Sequence, residues 1–177
     1  MTISVYAASS SAVDAVYLEA AREAGRLLAA RGHTMLFGGG ATGLMGACAG
    51  AAIAGGGRVV GVSPAYFDEP GVLLRSGCTL HLTETMAERK AWLLREGEGF
   101  LVLPGGIGTY EEFFDTLTLK SLGKITGPMV LLNTAGAYEP LLAMLRAGAA
   151  GGFLREEILT LFAVCRSPAE ALRALET

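Results

Sequence analysis

The stretch Leu101-Val-Leu-Pro-Gly-Gly-Ile-Gly-Thr-Tyr-Glu-Glu112 joins a short apolar run to a turn with three glycines, and an apolar-periodic segment follows it. This order predicts a buried strand, a tight turn and the start of a helix. Glycine lets a backbone approach a ligand closely, and the first turn of a helix offers free N–H groups at the positive end of the helix dipole. We therefore predict an anion site at this turn, with the carboxylate of Glu112 on its rim.

Thr109 and Glu112 also fit a second interpretation. The spacing Thr-x-x-Glu is that of a capping box, in which the two residues satisfy the free N–H groups of any helix start. The glycines and the proline immediately before this pair, at the end of a strand, favour a binding site. The helix cap remains the alternative.

Apolar runs alternate with helical patterns along the whole chain. The sequence predicts strands at residues 2–8, 33–37, 58–63, 78–83, 99–103, 128–133 and 158–164. It predicts helices at residues 14–30, 44–54, 85–96, 109–122 and 138–148, and a last helix that begins at Ser167-Pro-Ala-Glu170. Small residues fill the helix at 44–54, so we expect it to pack very close to a neighbour. The alternation predicts an α/β fold with a doubly wound, mostly parallel sheet, helices on both faces and one domain over residues 1–177.

Three turns that are polar or rich in glycine follow predicted strands: Ser9-Ser10, Gly38–Gly46 and Pro104–Thr109. In a parallel sheet the carboxyl ends of strands share one edge, and ligands bind there near a switch point, so we expect all three turns to face one crevice. Gly38-Gly-Gly-Ala-Thr-Gly is a poor match to G-x-G-x-x-G, and no acidic residue near Ser63 could bind a ribose. The sequence therefore argues against NAD.

Composition excludes several classes of function. The net charge is −3 and the only lysines are Lys90, Lys120 and Lys124, so binding to a nucleic-acid polymer is not expected. The three cysteines are widely spaced, which argues against a zinc site and indicates a reducing compartment, the cytoplasm. No signal peptide or membrane span is expected, because Gly or Pro interrupts each apolar stretch.

Three motifs make the sequence similar to a known family. Pro104-Gly-Gly-Ile-Gly-Thr-Tyr-Glu-Glu112 resembles the PGGxGTxxE signature of the LOG family, the cytokinin riboside 5′-monophosphate phosphoribohydrolases long labelled possible lysine decarboxylases. Gly38-Gly-Gly40 with Gly43-Leu-Met-Gly46 resembles the family's second motif, and Met86-Ala-Glu-Arg-Lys90 resembles its M-x-x-R-K element. The likeness runs from Ile3 to Glu157.

The resemblance implies a Rossmann-like fold, a homodimer or dimer-based oligomer, and a hydrolase that cleaves the N-glycosidic bond of AMP or a cytokinin nucleotide. The products would be the free base and ribose 5-phosphate, with no cofactor, no metal and no membrane partner. By matching positions, Arg89 and Glu112 would be catalytic. The substrate would be bound by Gly105, Gly106, Ile107, Gly108, Thr109, Lys90, Thr118, Gly39, Gly40, Gly43, Met45 and Ser10. Ala87 stands where the family commonly has His, a departure that leaves the preferred base open.

The residue types fit this chemistry independently. Cleavage of an N-glycoside builds positive charge on the ribose, which a fixed carboxylate such as Glu112 can stabilise, or the carboxylate can activate water. Arg89 would keep that carboxylate ionised and oriented. Lysine decarboxylation would need pyridoxal phosphate and partners for its ring, and no such constellation is present. The alternative function is a carrier or sensor of a phosphorylated ligand, like the molybdenum-cofactor carriers, which needs the glycine turn but not the Arg89–Glu112 pair.

Overall fold

The computed structural model describes residues Met1 to Thr177, and its seven strands form one sheet. The strands are β1 (Thr2–Tyr6), β2 (Thr34–Phe37), β3 (Val59–Pro64), β4 (Thr79–Thr83), β5 (Gly99–Val102), β6 (Met129–Leu132) and β7 (Ala163–Cys165). The helices are α1 (Ala15–Ala30), α2 (Gly43–Ala54), α3 (Met86–Glu96), α4 (Ile107–Ser121), α5 (Glu139–Ala150) and α6 (Pro168–Leu175). None of the six helices combines the length and apolar character needed to span a bilayer.

Every pair of neighbouring strands is parallel, in the order β4-β3-β2-β1-β5-β6-β7. The chain starts at the centre with β1, builds outward to β4, and then returns to β5 on the other side of β1. The switch point of the sheet therefore lies between β1 and β5, where the loops after the two strands separate and leave a crevice. The predicted Rossmann-like, doubly wound fold is confirmed.

Two apolar clusters cover the two faces of the sheet, because side chains along each strand alternate between the faces. On β1, Ile3 and Val5 pack with α1, α2 and α6. Tyr6 of the same strand packs with α3, α4 and α5 on the opposite face. The central strands are buried on both sides, which explains their nearly continuous apolar sequence.

The small residues of α2 let it approach α1 closely, as predicted. A Cβ placed at Gly25 of α1 would overlap the backbone carbonyl of Cys48 in α2. No side chain separates the two helices at that point, so the contact depends on glycine. The same closeness brings the first turn of α2 against the loop after β1, where a Cβ at Gly43 would overlap the Ser10 carbonyl oxygen.

The predicted last strand is wrong over most of its length. Residues Glu156–Thr160 form a 3₁₀ turn, and only Ala163–Cys165 pair with β6. Ile158, Leu159 and Leu161 pack against the apolar cluster that contains α5. A short apolar run can be buried from a turn as well as from a strand, and hydrophobic pattern alone does not separate the two cases.

We expect Gly25→Ala to lower the free energy of unfolding by about 1–3 kcal/mol, because the added methyl group forces α1 and α2 apart. The matched control is Gly50→Ala in α2, where a Cβ would meet no neighbouring atom. That change should raise stability by up to about 1 kcal/mol through helix propensity. Urea denaturation of both variants measures the difference. Equal effects of the two changes would contradict the close contact.

Candidate functional site

A cavity of about 630 Å³ lies over the carboxyl ends of β1, β2 and β3, beside the first turn of α4. Nine of the sequence-predicted site residues line it: Ser10, Gly40, Met45, Arg89, Gly106, Ile107, Gly108, Thr109 and Glu112. The three predicted turns therefore do meet at one crevice. We call this space the main cavity.

Five other predicted residues do not line the main cavity: Gly39, Gly43, Gly105, Lys90 and Thr118. Gly39 and Gly43 have φ values of +79° and +62°, and these left-handed positions shape the turns beneath the cavity. Thr118 is exposed on α4, well beyond the first turn. These residues support or flank the cavity, and their assignment to substrate binding stays a prediction.

Arg89 and Glu112 form an ion pair on the wall of the main cavity. Nη2 of Arg89 lies 2.8 Å from Oε1 of Glu112, and the two side chains are only 11% and 10% exposed. Arg89 Nε also donates to the carbonyl oxygen of Val62 at 3.3 Å. A Cβ at Gly38 would overlap the Arg89 guanidinium, so the glycine at the end of β2 provides the space that this side chain occupies.

Burial raises the pKa of Glu112 above its ordinary value, while the Arg89 guanidinium acts in the opposite direction. A carboxylate in this position is poorly solvated, and its single close cation restrains it on one side. Such a group can stabilise positive charge that develops nearby more strongly than a carboxylate in water would.

The turn before α4 leaves its N–H groups available to a ligand. Gly106 is the N-cap of the helix and supplies no side-chain cap, and the first helical bond runs from Tyr110 N–H to the Gly106 carbonyl oxygen at 2.9 Å. Thr109 lies inside the first turn, so the capping-box interpretation of Thr109 and Glu112 is wrong. Because glycine allowed the helix to begin two residues earlier, Glu112 is free to pair with Arg89.

The glycines of this turn have different roles. A Cβ at Gly105 would overlap the Thr109 side chain, so Gly105 is needed for packing. At Gly106 and Gly108 a Cβ would meet no atom of the protein, and both residues face the main cavity. Space beside exposed N–H groups at a helix N-terminus suits an anion such as phosphate.

One wall of the main cavity was not found from the sequence. Phe67, Val72 and Leu73 belong to the irregular segment between β3 and β4 and give the cavity an apolar side. Two backbone hydrogen bonds attach this segment to the glycine turn after β2: Ala41 N–H to Val72 O at 2.9 Å and Leu74 N–H to Gly39 O at 2.8 Å. Because backbone groups make these bonds, no side-chain pattern indicated them.

Lys90 binds two carboxylates of α4 and does not itself line the main cavity. Its Nζ lies 2.7 Å from Glu111 and 2.9 Å from Asp115, and these two hydrogen bonds raise its pKa. The residue therefore joins α3 to α4 next to the Arg89–Glu112 pair. No group of three or more His, Cys, Asp or Glu residues in the chain is arranged to hold a metal ion.

Sequence comparisons identify relatives along nearly the whole chain. A family model described as "Possible lysine decarboxylase" matches residues 45–175. A cytokinin riboside 5′-monophosphate phosphoribohydrolase of Mycobacterium tuberculosis is 37% identical over 98% of this chain and 92% of its own. An enzyme of the same name from Rhodococcoides fascians is 38% identical over 91% of this chain and 82% of its own.

Solved structures of another functional class share the fold. The molybdenum cofactor binding protein of Rippkaea orientalis superposes with a TM-score of 0.74 at 20% identity, covering 99% of this chain and 94% of its own. The molybdenum cofactor carrier protein of Chlamydomonas reinhardtii gives 0.73 at 23% identity, covering 99% of this chain and 95% of its own. At this level of identity the similarity concerns the architecture alone.

We expect Gly38→Ala to raise the pKa of Glu112 further, because the added methyl group displaces the guanidinium whose charge lowers it. An NMR titration of a ¹³C-labelled Glu112 carboxyl group measures the change. Gly50→Ala, whose methyl group lies in α2 away from the main cavity, should leave the titration unchanged. An unchanged or lower pKa in the Gly38→Ala protein would show that Arg89 does not depend on this glycine.

Proposed function

Since the chain belongs to the LOG family of phosphoribohydrolases, we propose that it hydrolyses the N-glycosidic bond of a nucleoside 5′-monophosphate and releases the free base and ribose 5-phosphate. The observation that carries the proposal is the buried Arg89–Glu112 pair beside the open N-terminus of α4. The open N-terminus of α4 suits a phosphate. The Glu112 carboxylate, one helical turn further along, suits the stabilisation of positive charge that develops on the ribose.

The main cavity accommodates the three parts of such a substrate. The phosphate would lie against the N–H groups of Gly106–Thr109, where space is open beside Gly106 and Gly108. The ribose would then face Glu112, one helical turn further along α4. The base would extend toward the apolar wall of Phe67, Val72 and Leu73. That wall favours an uncharged planar base, adenine or an N6-substituted adenine.

The carboxylate and its partner would perform the chemistry. As the C1′–N bond lengthens, the ribose gains oxocarbenium character, and Glu112 stabilises that charge or removes a proton from the attacking water. Water supplies the new bond to C1′, so the reaction requires no cofactor. Arg89 would orient the carboxylate and keep it ionised, and it is a catalytic residue only if it also contacts the ribose.

Turnover distinguishes this function from that of a carrier, which would need the phosphate site but not the ion pair. Glu112→Gln keeps the size of the side chain and removes its charge. We expect base release from saturating AMP to fall roughly 100-fold or more, while the affinity for AMP changes little. Initial rates and a thermal melt are measured together.

The control for Glu112→Gln is Glu170→Gln. Glu170 belongs to an observed capping box with Ser167 at the start of α6, remote from the main cavity. Its loss should lower thermal stability and leave turnover unchanged. If Glu112→Gln behaved in the same way as Glu170→Gln, the carrier function would replace the hydrolase.

We also propose that the protein is a homodimer or a dimer-based oligomer that acts in the cytoplasm. Its three cysteines are unpaired, as a reducing compartment requires. Two exposed apolar side chains mark the outer face of α4: Ile107, at the rim of the main cavity, is 85% exposed, and Leu122, directly after the last turn, is 64% exposed. A second copy covering this face would also lie near the opening of the cavity.

We expect Leu122→Glu to shift the protein to monomers, because it places a charge in the proposed interface. Light scattering at micromolar concentration measures the mass. Val16→Glu is the matched control, since Val16 is 48% exposed on α1 and lies on the other face of the sheet. A monomeric unmodified protein, or equal effects of the two changes, would contradict the assignment.

A further inference from the structure

The central strand β1 carries two hydroxyl side chains on the face of the sheet that α3, α4 and α5 cover. Ser4 and Tyr6 are two residues apart, so they share this face, and they are 0% and 1% exposed. The face is otherwise packed mainly with apolar side chains, among them Leu93, Phe100 and Phe113. A buried hydroxyl group costs free energy unless it is hydrogen-bonded, so the partners of Ser4 and Tyr6 indicate what the two side chains do.

Ser4 is bonded to α3. Its Oγ donates to the carbonyl oxygen of Leu93 at 2.7 Å. Leu93 follows Arg89 by four residues, which is about one turn of the helix. Gly97, directly after α3, leaves room for this contact, because a Cβ there would overlap Ser4 Oγ. We call this hydrogen bond the α3 anchor.

Tyr6 is bonded to α4 through Thr116, which is fully buried. The Thr116 Oγ1 donates to the carbonyl oxygen of Glu112 at 2.8 Å, and it lies 3.0 Å from the Tyr6 hydroxyl oxygen. Because a threonine hydroxyl has a single proton to donate, Tyr6 is the donor to Thr116. Thr116 follows Glu112 by four residues, again about one helical turn. We call these two hydrogen bonds the α4 anchor.

The two anchors occupy equivalent places on their helices, since each lies one turn after the residue that forms the buried ion pair. Tyr6 also lies between the helices and lines a narrow gap with residues of both: Lys90, Leu93 and Leu94 of α3, and Glu112 and Asp115 of α4. Apolar contacts tolerate small shifts of a helix, whereas a hydrogen bond weakens steeply with distance and angle. The anchors therefore restrict the positions that α3 and α4 can take against β1.

We propose that Ser4, Tyr6 and Thr116 are positioning residues, which hold α3 and α4 against β1 so that Arg89 and Glu112 meet on the wall of the main cavity. Their effect on turnover rests on the proposed function. None of the three lines the main cavity, so each acts through the ion pair and not through the substrate. A displacement of about 1 Å at a reacting group can cost a large factor in rate, so the register of the two helices matters.

Two variants of the α4 anchor separate positioning from stability. Thr116→Val leaves the buried Tyr6 hydroxyl without a partner, so the melting temperature should fall. Adding Tyr6→Phe makes both partners apolar, so most of the lost melting temperature should return. The double variant should nevertheless release base from saturating AMP roughly tenfold more slowly than the unmodified protein, with little change in KM. Thermal melts and initial rates measure these quantities.

The titration of Glu112 gives a readout that does not depend on turnover. Burial raises the pKa of Glu112 and the Arg89 guanidinium lowers it, with Glu111 and Lys90 as the other charged groups close by. The double variant should weaken the effect of Arg89, so the pKa of Glu112 should rise. The acid limb of the kcat profile should then move to higher pH, because the ionised carboxylate is the active form. NMR of a ¹³C-labelled Glu112 carboxyl group and the pH dependence of kcat measure the two shifts.

Ser4→Ala tests the α3 anchor in the same assays. The Leu93 carbonyl oxygen still accepts from Gly97 N–H at 3.2 Å, so the change leaves no buried backbone group unpaired and should alter the melting temperature little. The kcat should fall and the pKa of Glu112 should rise, as in the double variant.

Met129→Ala is the control for both anchors. Met129 lies on β6, belongs to the same apolar cluster and takes part in neither anchor. Its truncation leaves a cavity, so the melting temperature should fall. The kcat, the KM and the titration of Glu112 should stay unchanged.

The outcomes decide between a positioning role and a purely structural one. Normal kcat and an unchanged Glu112 titration in the double variant and in Ser4→Ala would overturn the proposal. It also falls if Met129→Ala changes kcat and the titration as the double variant does, because general loosening of the core then explains the effect. If the unmodified protein releases no base, the proposed hydrolase function fails, and a raised Glu112 pKa in the anchor variants still supports the alignment of the ion pair.

Discussion

The buried ion pair between Arg89 and Glu112 sets the requirements that the surrounding structure meets. Removing two charges from water is costly, and such a pair often contributes little net stability. Four elements nevertheless contribute to it: Gly38 directly after β2 leaves the space, β3 provides the Val62 carbonyl oxygen, α3 supplies the arginine, and α4 supplies the carboxylate. An arrangement of this kind is easier to explain by chemistry at the site than by stability.

The position of the pair depends in turn on how α4 begins. Because Gly106 starts the helix without a side-chain cap, Thr109 and Glu112 fall inside the first turns, and Glu112 faces α3. Lys90 strengthens the same junction by binding Glu111 and Asp115. Two adjacent residues of α3 thus bind three carboxylates of α4, of which Glu111 and Glu112 line the main cavity and Asp115 does not. The charge that faces the cavity is fixed by its neighbours before any ligand arrives.

The fold class could be predicted from the sequence because alternating apolar runs and helical patterns have few solutions in an α/β protein. The sequence also predicted that the three turns lie together, because the carboxyl ends of parallel strands share one edge of the sheet. The predicted strand at 158–164 failed because Ile158 and its neighbours reach the core from a 3₁₀ turn. The hydrophobic pattern indicates which residues are buried. For short apolar runs it does not indicate whether the backbone is a strand or a turn.

The sequence pointed to glycines and charged residues that line the main cavity, but it did not indicate the wall that the backbone shapes. The apolar wall at Phe67, Val72 and Leu73 depends on main-chain hydrogen bonds to the glycine turn. Because residues of many types can form such bonds, the amino-acid sequence does not indicate them. Lys90 was assigned to the nucleotide site by its place in a motif, yet the face of α3 it occupies directs it to α4. A sequence motif identifies a residue, but the orientation of its helix determines which partner the side chain contacts.

The small residues of α2 connect the core to the site. Close contact at Gly25 and Cys48 brings α2 against α1, and the first turn of α2 then fastens the loop after β1. Three hydrogen bonds make that attachment: Met45 N–H to Ala8 O at 3.1 Å, Thr42 Oγ1 to Ser9 O at 2.7 Å, and Gly43 N–H to Ser11 Oγ at 3.2 Å. This loop lines the main cavity. Larger residues in α2 would bury more apolar surface, but they would move the loop, so close helix packing here maintains the geometry of the main cavity.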